Sequence, residues 1–117
     1  MEPSVPEIDV QTLARKLQTN EKFTIVDVRE PWETQLVGLR DERVVIVPVS
    51  RISAEGVNAF PEAARDPQAE IVVLCHHGVR SARMTDWMQQ NGWKKVASLR
   101  GGIAAYAEQI DPSIGTY

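Results

Sequence analysis

In the stretch IDVQTLARKL the apolar residues Val10, Leu13, Ala14 and Leu17 recur at the spacing of one helix face. Asp9 stands where a helix needs a side-chain cap, and Ile8 is placed to pack on Leu13 across the helix start. The period then changes. FTIVDV is a short apolar run of the kind that forms a buried strand, and Pro31 opens a brief helical turn after it. VVIVPV reads as a second strand that ends near Pro48, and residues 54 to 65 read as helical with an interruption at Pro61. EIVVLC is a third strand. Beyond it Met84, Trp87, Met88 and Asn91 return to helical spacing, with Gly92 as the stop. KVASL is a fourth strand, and GGIAAYAEQI turns into a last helix.

Short apolar strands that alternate with helices imply crossover connections, hence an α/β fold with a mostly parallel sheet covered on both faces. Sites in such sheets lie at the carboxyl ends of the strands, where this pattern puts both Asp27 and Cys75. A length of 117 residues, 43% of them hydrophobic, suits one domain with a real core, expected to run from about 8 to 110 between short tails. Trp32, Trp87 and Trp93 are expected to serve packing. A formal charge of -3 argues against nucleic acid as the main partner, because phosphate neutralisation needs a clustered basic surface and Lys94 and Lys95 are only a pair. MEPSVPEIDV has neither the basic segment nor the apolar core of a signal peptide. VVIVPV and IVVLC are far too short to span a bilayer, so no membrane partner is expected and the cytoplasm is the expected location.

The chemistry concentrates in CHHGVRS, which ends the third strand and holds the chain's single cysteine. A loop between a strand end and a helix start has backbone N–H groups without helical partners, and the helix dipole adds positive potential. Gly78 lets the loop curl so that successive amides converge. His76, His77 and Val79 fill the curl, Arg80 adds a fixed cation, and Ser81 adds a hydroxyl near the first helical turn. This surrounding favours an anion on the Cys75 sulfur, so the residue is read as a nucleophile. Inert packing is the commoner fate of a cysteine ending an apolar strand, but a packed thiol needs no such cradle. A metal site is disfavoured because Cys75, His76 and His77 are contiguous, their side chains diverge, and no further cysteine or histidine completes a shell. The histidines are expected to line the loop or its rim rather than to move protons. Four residues separate Cys75 from Arg80, one fewer than in the C-x5-R loop of cysteine phosphatases, so the cradle suits a single anionic atom better than a tetrahedral phosphate.

Taken with two other segments, the loop resembles a known family. CHHGVRS is similar to the C-x-x-G-x-R-[ST] loop of single-domain rhodaneses. VDVREPWE resembles their D-x-R-x-x-x-E signature through Asp27, Arg29 and Glu33, and LRGGIAAY resembles their L-x-G-G-[IF]-x-A-[WY] through Tyr106. The usual G-H-I-x-G-A-x-N segment is matched in VGLRDERVVIVPVS only by Gly38. The resemblance implies a rhodanese-like sheet of about five strands with helices on both faces. It also implies sulfurtransferase activity of the thiosulfate type. In that chemistry Cys75 would take sulfur from a small anionic donor as a persulfide and pass it to cyanide or a thiol, which could belong to a protein. Asp27 and Arg29 would support the loop without reacting, and neither a metal nor an organic cofactor is implied. With no second cysteine to resolve the persulfide, the sulfur is expected near the surface under a shallow mouth. Two rivals stand beside this reading. One is a rhodanese-like binding or regulatory module without catalysis; the other is phosphatase or arsenate-reductase chemistry, which the short loop disfavours.

Overall fold

The computed structural model describes residues 5–117, so the first four residues of MEPSVPEIDV lie outside it. Five strands alternate with five α-helices: β1 (Glu7–Ile8), α1 (Val10–Leu17), β2 (Thr24–Asp27), α2 (Pro31–Leu36), β3 (Val44–Ile46), α3 (Val49–Glu55), β4 (Glu70–Leu74), α4 (Val79–Gln90), β5 (Lys95–Leu99) and α5 (Gly102–Gln109). Short 3₁₀ turns cover Gly56–Ala59, Glu62–Arg65 and Pro112–Ile114. The strands form one sheet in the order β1-β5-β4-β2-β3, and every pairing is parallel. β4 lies at the centre, between β2 and β5. The strand ends are therefore gathered along one edge, with Asp27 beside Leu74.

Both faces of the sheet are covered, as the alternating pattern predicts, and the pleat divides the core. Val26, Val28, Ile71, Val73, Cys75 and Val96 pack with Ile52, Phe60, Met88 and Trp93 on one side. Ile25, Val72, Leu74 and Leu99 pack with Val10, Leu13, Ile103 and Tyr106 on the other. Asp9 caps α1, its Oδ1 accepting the Thr12 amide at 2.8 Å, and Gly92 follows α4 with a positive φ of 101°. No helix among the described residues is long and apolar enough to cross a membrane.

The structure corrects several boundaries. The helix expected from residue 54 begins at Val49, and the stretch to Arg65 breaks into two 3₁₀ turns. Pro48, fixed at φ -61° and ψ 148°, turns the chain out of β3, and the Val49 amide donates to Val28 O at 3.0 Å. Pro61 then separates Glu62–Arg65 from the preceding turn, and Asp66, held extended before Pro67, ends it. β1, only two residues long, pairs Ile8 with Leu99 and was not legible as a strand. Trp93 is buried, with its Nε1 donating to Ala64 O at 2.7 Å, and Trp87 stacks on Phe60. Trp32 does not pack into the core: it is 63% exposed on α2.

Candidate active site around Cys75

Cys75 follows Leu74 at the end of the central strand, on the same side of the pleat as Ile71 and Val73. The chain then reverses through His76 and His77 to Gly78, whose φ of 100° starts α4 from the left-handed region. A Cβ there would also lie 3.1 Å from the Gly101 nitrogen, so the position demands glycine twice over. The reversal points two amides at the sulfur: Gly78 N at 3.0 Å and Ser81 N at 3.3 Å. The amides of His77, Val79 and Arg80 take no acceptor among the described residues and remain available at the same turn. Ser81 Oγ lies 3.3 Å from the sulfur and 2.7 Å from Ser98 Oγ, and both serines are fully buried.

The glycine pair of the closing signature acts from behind. Ile103 N and Ala104 N, in the first turn of α5, donate to the carbonyls of Cys75 and His76 at 2.9 and 3.0 Å. Gly102, at φ +64°, makes this possible, since a Cβ would fall 2.4 Å from His76 O.

A chain of ionic contacts borders the loop. Asp27 accepts three hydrogen bonds from Arg29, from its backbone N, Nε and Nη2, at 3.1, 3.0 and 2.7 Å. Arg29 itself is fully buried. Arg80 does not stand as an isolated cation over the sulfur: its Nη1 and Nη2 reach Glu33 Oε2 and Oε1 at 2.6 and 2.8 Å. The two-pronged pair, helped by the Glu30 amide and opposed by burial, pulls Glu33 down to about 2 and raises Arg80. Sequence reasoning gave Glu33 no role beyond its place in a signature.

Tyr117 joins the two ion pairs. Its hydroxyl accepts from Arg29 Nη1 at 3.1 Å and donates to Glu33 Oε1 at 3.0 Å. Its ring stacks on His76 at 3.9 Å, and His76 stacks on His77 at the same distance. His76 and His77 thus line the rim, half-buried and exposed respectively. Burial and the neighbouring His77 push His76 below its ordinary value, so it is neutral at pH 7. The histidines also line a cavity of about 480 Å³, together with Ile103, Ala104, Ala107 and Tyr117. Arg51 is remote from this constellation in its contacts, pairing with Glu55 one turn away on α3.

The expected shallow mouth is not what the chain builds. Cys75 is 1% exposed, because its place in the β4 alternation aims it inward and the start of α4 folds over it. The atypical segment after α2 has an anchor of its own: Asp41 holds Arg43, whose guanidinium donates to the carbonyl of Leu17, the last residue of α1, and to that of Glu21 beyond it, both at 3.0 Å.

A family model described as Rhodanese-like domain matches residues 9–109. A protein of Allochromatium vinosum named sulfurtransferase is 31% identical over 110 residues, covering 94% of this chain and 95% of its own. The Arabidopsis thaliana rhodanese-like/PpiC domain-containing protein 12 is 33% identical over 116 residues, covering 97% of this chain, which spans only 38% of that relative's length. A rhodanese-like domain protein of Staphylococcus aureus superposes with a TM-score of 0.73 at 23% identity, covering 96% of this chain and 98% of its own, and so shares the fold. With a parallel sheet of matching architecture and a match over most of its length, the chain belongs to the rhodanese-like domain family.

Proposed function

We propose that the protein is a sulfurtransferase that carries sulfane sulfur on Cys75, with thiosulfate or a persulfide as donor and cyanide or a thiol as acceptor. The observation that carries this reading is the convergence of the Gly78 and Ser81 amides on the Cys75 sulfur, with three further loop amides beside them that take no acceptor among the described residues. Donors aimed at one atom stabilise negative charge there throughout a cycle. Relatives named sulfurtransferase add support.

In the first half-reaction the Cys75 thiolate attacks the outer sulfur of thiosulfate. An S–S bond forms to Cys75, the bond to the sulfonate sulfur breaks, and sulfite leaves with that electron pair. The product, Cys75–S–S⁻, keeps one negative charge, which the amides of His77, Val79 and Arg80 can receive. In the second half-reaction cyanide or a thiolate attacks the outer sulfur, and the electron pair of the S–S bond returns to Cys75 as thiolate. This is ping-pong chemistry on one residue. The added bond, about 2.05 Å long, moves the transferable atom off the buried seat of Sγ. No metal or organic cofactor takes part in these steps, and a single thiol that discharges to external thiols suits the reducing cytoplasm.

The test is intact mass after incubation with thiosulfate. One added sulfur atom, removed by cyanide or a thiol and absent from Cys75→Ser, is the expected result. An adduct that persists in Cys75→Ser would move the chemistry to another residue.

A further inference from the structure

We propose that Tyr117 is a positioning residue for the anion site: its hydroxyl links the Asp27–Arg29 and Glu33–Arg80 pairs and so sets how much of Arg80's charge is available at the loop. The inference rests on the sulfurtransferase reading for its substrate and on geometry for its mechanism. Glu33 is 6% exposed at its side chain, and each of its oxygens accepts two hydrogen bonds. Oε2 takes Arg80 Nη1 and the Glu30 amide; Oε1 takes Arg80 Nη2 and the Tyr117 hydroxyl. Tyr117 and Glu30 are therefore the two groups that share the carboxylate's charge with Arg80. The Glu30 amide is fixed by the backbone at the start of α2, whereas the hydroxyl arrives from a segment 84 residues away in sequence. Its orientation is over-determined. Arg29 Nη1 occupies the phenol oxygen, which leaves the proton only Glu33 to meet, and the stack on His76 and the edge contact with Trp32 hold the ring. Burial raises the phenol above its ordinary value, so the proton stays in place at working pH.

The consequence is electrostatic. A donor hydrogen bond from the phenol offsets part of the Glu33 charge, and Arg80 is then less completely neutralised towards an incoming anion. Without it the carboxylate draws on Arg80 and the Glu30 amide only and adds a less compensated negative charge beside the loop. An anionic sulfur donor should feel the difference, and a neutral reagent should not.

Tyr117→Phe tests this, because it keeps the ring and removes only the hydroxyl. The first measurement is the ratio of Cys75 alkylation rates by iodoacetate and iodoacetamide, which reads the local field without any sulfur transfer. The variant should lower that ratio about threefold, a part of what one charge-assisted hydrogen bond is worth. In steady state it should raise KM for thiosulfate by a similar factor. An unchanged alkylation ratio would overturn the proposal. Equal slowing with both reagents would also overturn it, since that pattern belongs to loosened packing. If the parent forms no persulfide but the ratio still falls in the variant, the role of Tyr117 stands and the sulfurtransferase reading fails.

Discussion

Replacing Glu33 by glutamine preserves shape and removes the charge that faces Arg80. Glu33 titrates at about 2 in the folded chain instead of 4.5; Arg80 is the largest cause, burial opposes it, and the Glu30 amide and Tyr117 hydroxyl assist. At about 1.4 kcal/mol per pKa unit, a shift of that size corresponds to about 3 kcal/mol. Arg80's side chain is 35% exposed, so solvent screening reduces the expected contribution to about 2 kcal/mol. The sign is set by linkage. A carboxyl that titrates lower when folded contributes its full stabilisation above its unfolded value of 4.5 and loses it as pH falls towards 2. Urea unfolding of the parent and of Glu33→Gln at pH 7 should therefore differ by about 2 kcal/mol, and the gap should shrink to about half by pH 3. The other carboxyl groups are common to both proteins and largely cancel. A gap of the same size at both pH values would refute the reasoning, because it would mean that glutamine disturbs packing and the charge contributes nothing. No gap at pH 7 would refute it too.

Two further substitutions probe the loop from either side. Arg80→Ala leaves the buried Glu33 carboxylate without its two-pronged partner; it should lose about 2–3 kcal/mol and turn over thiosulfate at least about tenfold more slowly. Arg80→Lys should recover only part of both, because an ammonium cannot supply two parallel donors, and equal turnover in parent and both variants would reduce Arg80 to scaffolding. Gly102→Ala forces a side chain into φ +64° with its Cβ 2.4 Å from His76 O, which should cost more than about 2 kcal/mol and slow alkylation of Cys75. A variant with the parent's melting temperature would show that the turn at Gly102 yields more easily than its geometry implies.

The central strands were readable because each is buried on both faces and so appears as an unbroken apolar run. β1 was not, since two residues carry no period, and the start of α3 is hidden because Val49 follows a strand-like run and only Ile52 of that helix is buried. The candidate loop was legible for a different reason: glycine, arginine and serine at fixed offsets after a strand are local chemistry. Its surroundings are not local. Glu33 meets Arg80 across 47 residues, Ser98 meets Ser81 across 17, and Tyr117 meets Arg29 across 88. Sheet order decides these meetings. For Ser98 a signal was present, because a serine two positions after Val96 occupies an inward site of β5. The burial of Cys75 was also within reach, since Ile71, Val73 and Cys75 share one parity. Tyr117 lies outside any periodic element, and nothing in its neighbours marks it.

The hydrogen bonds from Ile103 and Ala104 to the carbonyls of Cys75 and His76 fix more than a turn. A peptide unit has two poles, and anchoring its oxygen decides which way its other pole can face. With both oxygens tethered to the first turn of α5, the two peptide planes after Cys75 cannot flip without breaking those tethers, so neither of these carbonyls swings round to repel the sulfur. In the proposed cycle the loop would then need no rearrangement as the charge on sulfur appears, moves outward by one atom and returns. Two hydrogen bonds behind the loop thereby fix the polarity of the side that faces the sulfur.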